Sequence, residues 1–385
     1  MNRRPLVRSL FPGLALAVAL ASTLLAAPTT ENDGRNRSLR LELEGVGAVV
    51  ARPSSLDADA DAAQLLIEKQ GGHLHVLSTF EGLEFASLLK ADLDNDGFPE
   101  VIAIARHHAG DDLMPFIYGG SPDIRRIFPP GEGEDNPVIG RDISVVQGKN
   151  GPELCVKIPV TIHDFGPPDL FQLEVYRLQG NHLVKCGESL TEATHFNQIM
   201  NRGGLAAQRG RYLDALKDYE AVLGMSGMPM RLPPEAKAEA LVAAAECRAG
   251  LKDFKTALEL YRRVTVECSA SDLSEKAGRE SAFISRHIDS PAALSIYMDI
   301  VRAIQADRWS EALSLIDKCP DDLKARLGDH LLFQRGEVLI GLGRIDEAIE
   351  VFKRLRREFR ESTLAETALE RIQELEGAPE TPDAQ

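Results

Sequence analysis

The sequence predicts a multidomain α+β chain in which an N-terminal antiparallel β-repeat module precedes an α-helical solenoid. Three observations lead there. Apolar residues recur with a period near two as far as Thr191, and with a period of three to four beyond it, the change from strand to helix patterning. In the first half, a strand, tight turn, strand, longer loop and second hairpin recur three times, with first turns about fifty residues apart. In the second half, four segments carry one pattern around an alanine, at Ala215, Ala257, Ala312 and Ala348.

The chain begins with Arg3, Arg4 and Arg8 ahead of an apolar run over 14–25, followed by Ala26, Ala27 and Pro28. This reads as a secretory signal peptide over 1–27, cleaved after Ala27 or, alternatively, after Ala21. An uncleaved anchor is the other reading, but the apolar run is shorter than the ~20 residues a spanning helix needs. Export to the periplasm or beyond is expected, with no stable membrane insertion after cleavage. Removing 1–27 takes away three arginines and no acid, leaving 41 basic against 59 acidic side chains and a net charge of −18. That balance repels phosphate backbones and anionic lipid, so nucleic acid is excluded as a partner, and cations or basic protein surfaces suit it better. The five cysteines contain no CxxC, which removes zinc ribbons and thioredoxin-like chemistry. Cys155 and Cys186, both in the third β segment, are the candidate disulfide.

Residues 28–38 lack apolar periodicity and read as a linker. The β module then spans 39–190. Its first segment has strands at 39–43, 64–68 and 73–77; its second at 85–89, 101–105, 115–118 and 124–128; its third at 143–146, 154–160, 171–177 and 182–185. Gly71-Gly72, Gly119-Gly120 and Gly180-Asn181 supply the hairpin turns. The second segment contains the loop Asp92-Leu93-Asp94-Asn95-Asp96-Gly97-Phe98-Pro99-Glu100. Carboxylates at loop positions one, three and five, glycine at six, a backbone carbonyl from Phe98 at seven and an acid at nine match the oxygen-rich shell of calcium. A solvated acidic turn without metal is the alternative.

Ala103 stands where an EF-hand places its bidentate glutamate, and the stretch 101–105 looks like a strand instead of a helix. The loop resembles instead the Asp-x-Asp-x-Asp-Gly-x-x-Asp hairpins of FG-GAP and VCBS-type propeller blades, with Glu100 replacing the last aspartate. The resemblance rests on one good copy; it implies propeller-blade-like sheets and calcium held by Asp92, Asp94, Asp96, Phe98 and Glu100. Three blades do not close a propeller, which usually has four to eight. The module is therefore expected to be open or sandwich-like, or to be completed by a second chain.

Beyond residue 195 the four copies align as Tyr212, Ala215, Tyr219 and Val222; Phe254, Ala257, Tyr261 and Val264; Trp309, Ala312, Ile316 and Cys319; Ile345, Ala348, Phe352 and Leu355. Three have a small residue twelve positions before the alanine, at Gly203, Ala245 and Gly336, and the third has Ile300 there. Small and large residues in this order suit two helices crossing closely. The pattern resembles the tetratricopeptide repeat (TPR), over 195–376. This resemblance implies a TPR-like solenoid of stacked helical hairpins with a face that binds a peptide or protein segment. The departures are unequal spacings between alanines, of 42, 55 and 36 residues, explained by a connector at 225–234 and an extra helix at 273–288. Residues 362–375 suit a capping helix, and 377–385 a disordered tail.

No nucleophile motif, phosphate loop or zinc signature is present, so a non-enzymatic scaffold is expected, with calcium in the β module and a protein or peptide partner on the repeats. The alternative is a polysaccharide-binding or polysaccharide-processing envelope factor. Aromatics at 5% and a single Trp, Trp309, give such a site little to stack on.

Overall fold

The computed structural model describes residues 29–377 apart from 34–35, 45–46, 54–61, 70–71, 108–109, 121–122, 131–136 and 226–231. The signal segment, most of the 225–234 connector and nearly all of the C-terminal tail thus lie outside the described residues. The chain divides into two compact units, Met1–Val160 with Leu170–Glu192, and Thr161–Asp169 with Ala193–Gln385.

Among the described residues the first unit holds three antiparallel sheets, each a meander whose spatial order is its sequence order. The first sheet has β1 (Thr29–Asp33), β2 (Asn36–Leu43), β3 (Gly47–Pro53), β4 (Ala62–Lys69) and β5 (His73–Glu81). The second has β6 (Leu83–Ala91), β7 (Glu100–His107), β8 (Leu113–Gly119) and β9 (Arg125–Phe128). The third has β10 (Asp142–Gly148), β11 (Gly151–Val160), β12 (Leu170–Gln179) and β13 (His182–Leu190). Alternation sets the faces: Leu39, Leu41 and Leu43 are buried, while Arg40 between them pairs with Glu42 and Glu68 on the opposite face. β7 is apolar on both faces because it lies in the middle sheet. Its Val101, Ala103 and Ala105 join Leu41, Val49 and Leu65 in one core, and its Ile102 and Ile104 join Leu154, Val156 and Leu178 in another. The three expected segments are thus three sheets, and they are not closed into a ring.

Two expectations are corrected. The expected linker over 28–38 is largely strand, with β1 pairing against β2 from Thr29↔Arg40 to Asp33↔Asn36. Backbone hydrogen bonds along a sheet edge do not require the apolar alternation that the segment lacks. Cys155 and Cys186 do not pair, and both thiols are free. Cys155 lies opposite Val175 and Val175 opposite Gly187, so β12 runs between the two cysteines. Two strand spacings put their backbones roughly 9–10 Å apart, beyond the reach of a disulfide.

The second unit is helical. α1 (Phe196–Gln208) packs on α2 (Tyr212–Gly224), α3 (Pro234–Gly250) on α4 (Phe254–Glu267), α6 (Pro291–Gln305) on α7 (Trp309–Asp317), and α8 (Asp321–Gly341) on α9 (Ile345–Glu358). The extra helix is α5 (Leu273–His287), against α4, and the capping helix is α10 (Leu364–Gly377), against α9. The second helix of every hairpin starts at the large apolar residue three before the alanine. Each hairpin turn also repeats. Five residues before the alanine the backbone takes positive φ, at Gly210 (72°), Lys252 (65°), Asp307 (53°) and Gly343 (73°). The next N–H then bonds the carbonyl five residues back (Arg211 to Ala206, Asp253 to Arg248, Arg308 to Ala303, Arg344 to Leu339) at 2.8–2.9 Å, the Schellman closure of a helix end.

Candidate functional site

In the sheet unit, the loop between β6 and β7 is shaped by its own side chains. Asp92 accepts from the Asp96 N–H (3.0 Å) and the Gly97 N–H (3.1 Å), and Asp96 accepts from the Phe98 N–H (2.8 Å). Left-handed backbone at Asn95 (φ 61°) and Gly97 (φ 90°) makes the bend. Glu100 heads β7 and is only 2% exposed; its Oε2 accepts from the Leu93 N–H at 2.7 Å. One carboxylate oxygen from each of Asp92, Asp94 and Glu100 lies within 4.8 Å of the others. Asp96 stands outside this trio, with its carboxylate engaged by Phe98. Burial first, then repulsion from Asp94 and Asp96, pushes the Glu100 carboxyl up to about 7. Three carboxylate oxygens this close are donors of the kind a hard divalent cation such as calcium takes, and such a cation would offset the repulsion among them.

In the helical unit, Ala215, Ala257, Ala312 and Ala348 are all 0% exposed, with Tyr219, Tyr261 and Phe352 buried beside them. Gly203 and Gly336 are where those large rings land: a Cβ would sit 3.1 Å from Tyr219 at the first and 2.4 Å from Phe352 at the second. Ala245 takes the same place in the second hairpin. In the third, Ile300 replaces the small residue and Ile316 replaces the ring, and both are buried in one core with Ala312. Volume moves from one helix to the other while the crossing stays filled. Trp309 packs on Gly341, where a Cβ would lie 2.4 Å from its ring, so the single Trp serves repeat packing.

Sequence reasoning missed a further cluster in this unit. Residues 161–169 run between β11 and β12 in the chain but belong to the helical unit. Asn201 of α1 accepts at Oδ1 from the N–H groups of Ile162 (2.7 Å) and His163 (2.9 Å), and donates from Nδ2 to the His163 carbonyl (2.9 Å). Asn197, one turn earlier, donates to the carbonyls of Gly166 and Pro168. The His163 ring lies between Glu239 of α3 (Nδ1 to Oε1, 3.0 Å) and the Tyr219 hydroxyl (3.4 Å from Nε2). Phe165 rests against Phe196, ring centroids 5.8 Å apart. Gly204 makes room, since a Cβ there would be 2.8 Å from Ile162. The residues in the sequence that belong to it are two asparagines four apart, followed by paired glycines, on one helix; both asparagines are buried.

Fold and packing define a stack of helical-hairpin repeats. The tetratricopeptide-repeat family is matched twice, over 200–272 and 331–362, and the C-terminal half carries tetratricopeptide repeats. A solved thermophilic TPR protein of Thermus thermophilus aligns with 48% of this chain and 100% of its own, at 14% identity and a TM-score of 0.21, too low to carry an argument. No curated protein matches the chain. Among the described residues no helix is long and apolar enough to cross a membrane.

Proposed function

We propose that the protein is an exported, non-enzymatic interaction scaffold whose tetratricopeptide repeats hold a peptide or protein segment, and whose sheet unit is stiffened by calcium at the 92–100 loop. The observation that carries the reading is the common register of four hairpins, from the turn through the crossing alanine to the large buried side chain four residues on, in a half of the chain that the tetratricopeptide-repeat family matches over 200–272 and 331–362. Stacked units of this kind present an extended surface, the usual platform for a partner chain. Export is supported by the basic and apolar composition of 1–27, and calcium by the trio of Asp92, Asp94 and Glu100.

Capture of the full-length protein with covalent crosslinking and mass spectrometry tests the scaffold. The expected result is a partner crosslinked to residues within 195–376; crosslinks confined to 39–190 contradict it. Calorimetry tests the metal separately. Calcium binding at millimolar concentration, lost in Asp94→Ala, is expected, and no heat of binding would reduce the loop to an acidic turn. For export, N-terminal sequencing should find Pro28 or Ser22, and an intact Met1 on the exported product would overturn it.

A further inference from the structure

Residues 161–169 (Thr-Ile-His-Asp-Phe-Gly-Pro-Pro-Asp) are held by α1, α2 and α3 in the way a bound peptide is held. Backbone groups are read by side-chain amides: Asn201 takes the successive N–H groups of Ile162 and His163 and returns a donor to the His163 carbonyl, and Asn197 and Gln198 donate to the carbonyls of Gly166, Pro168 and Asp169. Two side chains anchor the segment. His163, 8% exposed, bridges Glu239 and Tyr219, while Phe165, two residues on, packs with Phe196 in the apolar core of the first hairpin. Backbone groups paired to fixed amides, with side chains two apart as anchors, are how peptide segments are recognised. These groups are built for the purpose: Asn197 and Asn201 are 3% and 2% exposed, and an amide so buried is costly without its partner.

We propose that this surface, formed by Asn197, Asn201, Gly204, Tyr219 and Glu239, is a peptide-recognition site closed in cis by the chain's own segment 161–169. In trans it takes a partner segment bearing an imidazole and, two residues on, an aromatic ring, followed by a turn like the one at Gly166 (φ 75°). The proposal rests on the scaffold reading and adds the partner's chemistry and its control. A tethered ligand faces its site at an effective concentration on the order of millimolar, so a free segment of equal intrinsic affinity is largely excluded until the tethered one leaves.

The probe is the fluorescent nine-residue peptide of sequence 161–169, titrated into the full chain. His163→Ala with Phe165→Ala removes both anchors of the tethered segment and should bind the peptide at least about tenfold more tightly than the parent chain, as expected when an internal competitor is removed. Adding Asn201→Ala to that variant should abolish the gain, and a scrambled peptide should show none. An unchanged affinity in a released variant whose helical circular dichroism matches the parent would overturn the proposal. Should the released variant fail to fold, the parent chain decides. A millimolar excess of peptide must accelerate hydrogen exchange at the Ile162 and His163 amides, and unaltered exchange overturns the proposal. A partner captured on the repeats that does not compete with the peptide would also overturn it, while leaving the scaffold reading intact.

Discussion

Each unit buries a titratable group whose charged form is disfavoured, a carboxyl at Glu100 in one and an imidazole at His330 in the other. In the sheet unit the carboxyl of Glu100 is sunk at the head of β7 with acids around it, and is pushed up to about 7. In the helical unit His330 of α8 stacks on Phe283 of α5, ring centroids 4.3 Å apart, and burial lowers it to about 4. His287, against the same Phe283, is lowered as well. Burial disfavours the charged form in each case, yet the consequences for stability run in opposite directions. As pH falls from about 7 to 4.5, folded Glu100 takes up a proton that the unfolded chain does not, so the metal-free sheet unit gains stability. As pH falls from 6.5 to about 4, the unfolded chain takes up a proton that folded His330 refuses, so the helical unit loses stability. What differs is the remedy. A cation can neutralise the acids of the sheet unit, whereas His287 and His330, lowered by burial, stay neutral at ordinary pH.

The largest expected effect breaks one side outright. Ala348→Glu places a carboxylate and added bulk at a fully buried crossing beside Phe352 and should cost several kcal/mol, comparable to a domain's whole stability. Melting followed at 222 nm should show the helical transition lost or far lower while the sheet transition holds. Next comes the metal. Calcium at a hundredfold excess over its Kd should stabilise the sheet unit by about 3 kcal/mol, magnesium by less, and neither should move the helical transition.

The pH contrast is of similar or slightly smaller size. In chelator, Glu100→Gln should remove about 2–3 kcal/mol of pH dependence between 4.5 and 7 from the sheet unit and raise its stability at neutral pH, while abolishing the calcium response. His330→Gln should flatten the acid side of the helical curve by about 2–3 kcal/mol between 6.5 and 4. Glu280 in that unit is raised by burial and opposes the slope, so the difference between variant and parent isolates the imidazole. The smallest effect is at the hairpin turns. Asp307→Gly should gain about 0.5–1 kcal/mol by relieving left-handed backbone, and Gly343→Ala should lose about 1 kcal/mol, both measurable by denaturant titration.

The same contrast explains what was legible in the sequence. Tyr212, Phe254, Trp309 and Ile345 mark the first residue of each second helix because helix packing assigns a fixed job to a fixed position, and repetition makes the job visible. Lys252 and Asp307 were not legible as turn residues, since lysine does not favour positive φ and aspartate does so far less than the glycines at Gly210 and Gly343 that fill the same places in the other copies. The sheet unit repeats topology and not residues, so its three segments could be counted while β1 and β3 went unassigned. Asp92, Asp94 and Glu100 converge as their spacing implied, but Asp96 turns to Phe98 because a short acidic loop also has to satisfy its own N–H groups. The 161–169 segment was out of reach: nothing local to Thr161 or Pro168 says that a hairpin connection pairs with Asn201, since that contact is made by the fold.

The claim that the helical half is the recognition surface is tested most directly by hydrogen exchange on the full chain with and without its crosslink-identified partner. Bound partner should increase protection in peptides from α1, α3, α6 and α8, leaving β1 through β13 unchanged. Protection gained only within residues 39–190, with the repeats indifferent, would contradict it.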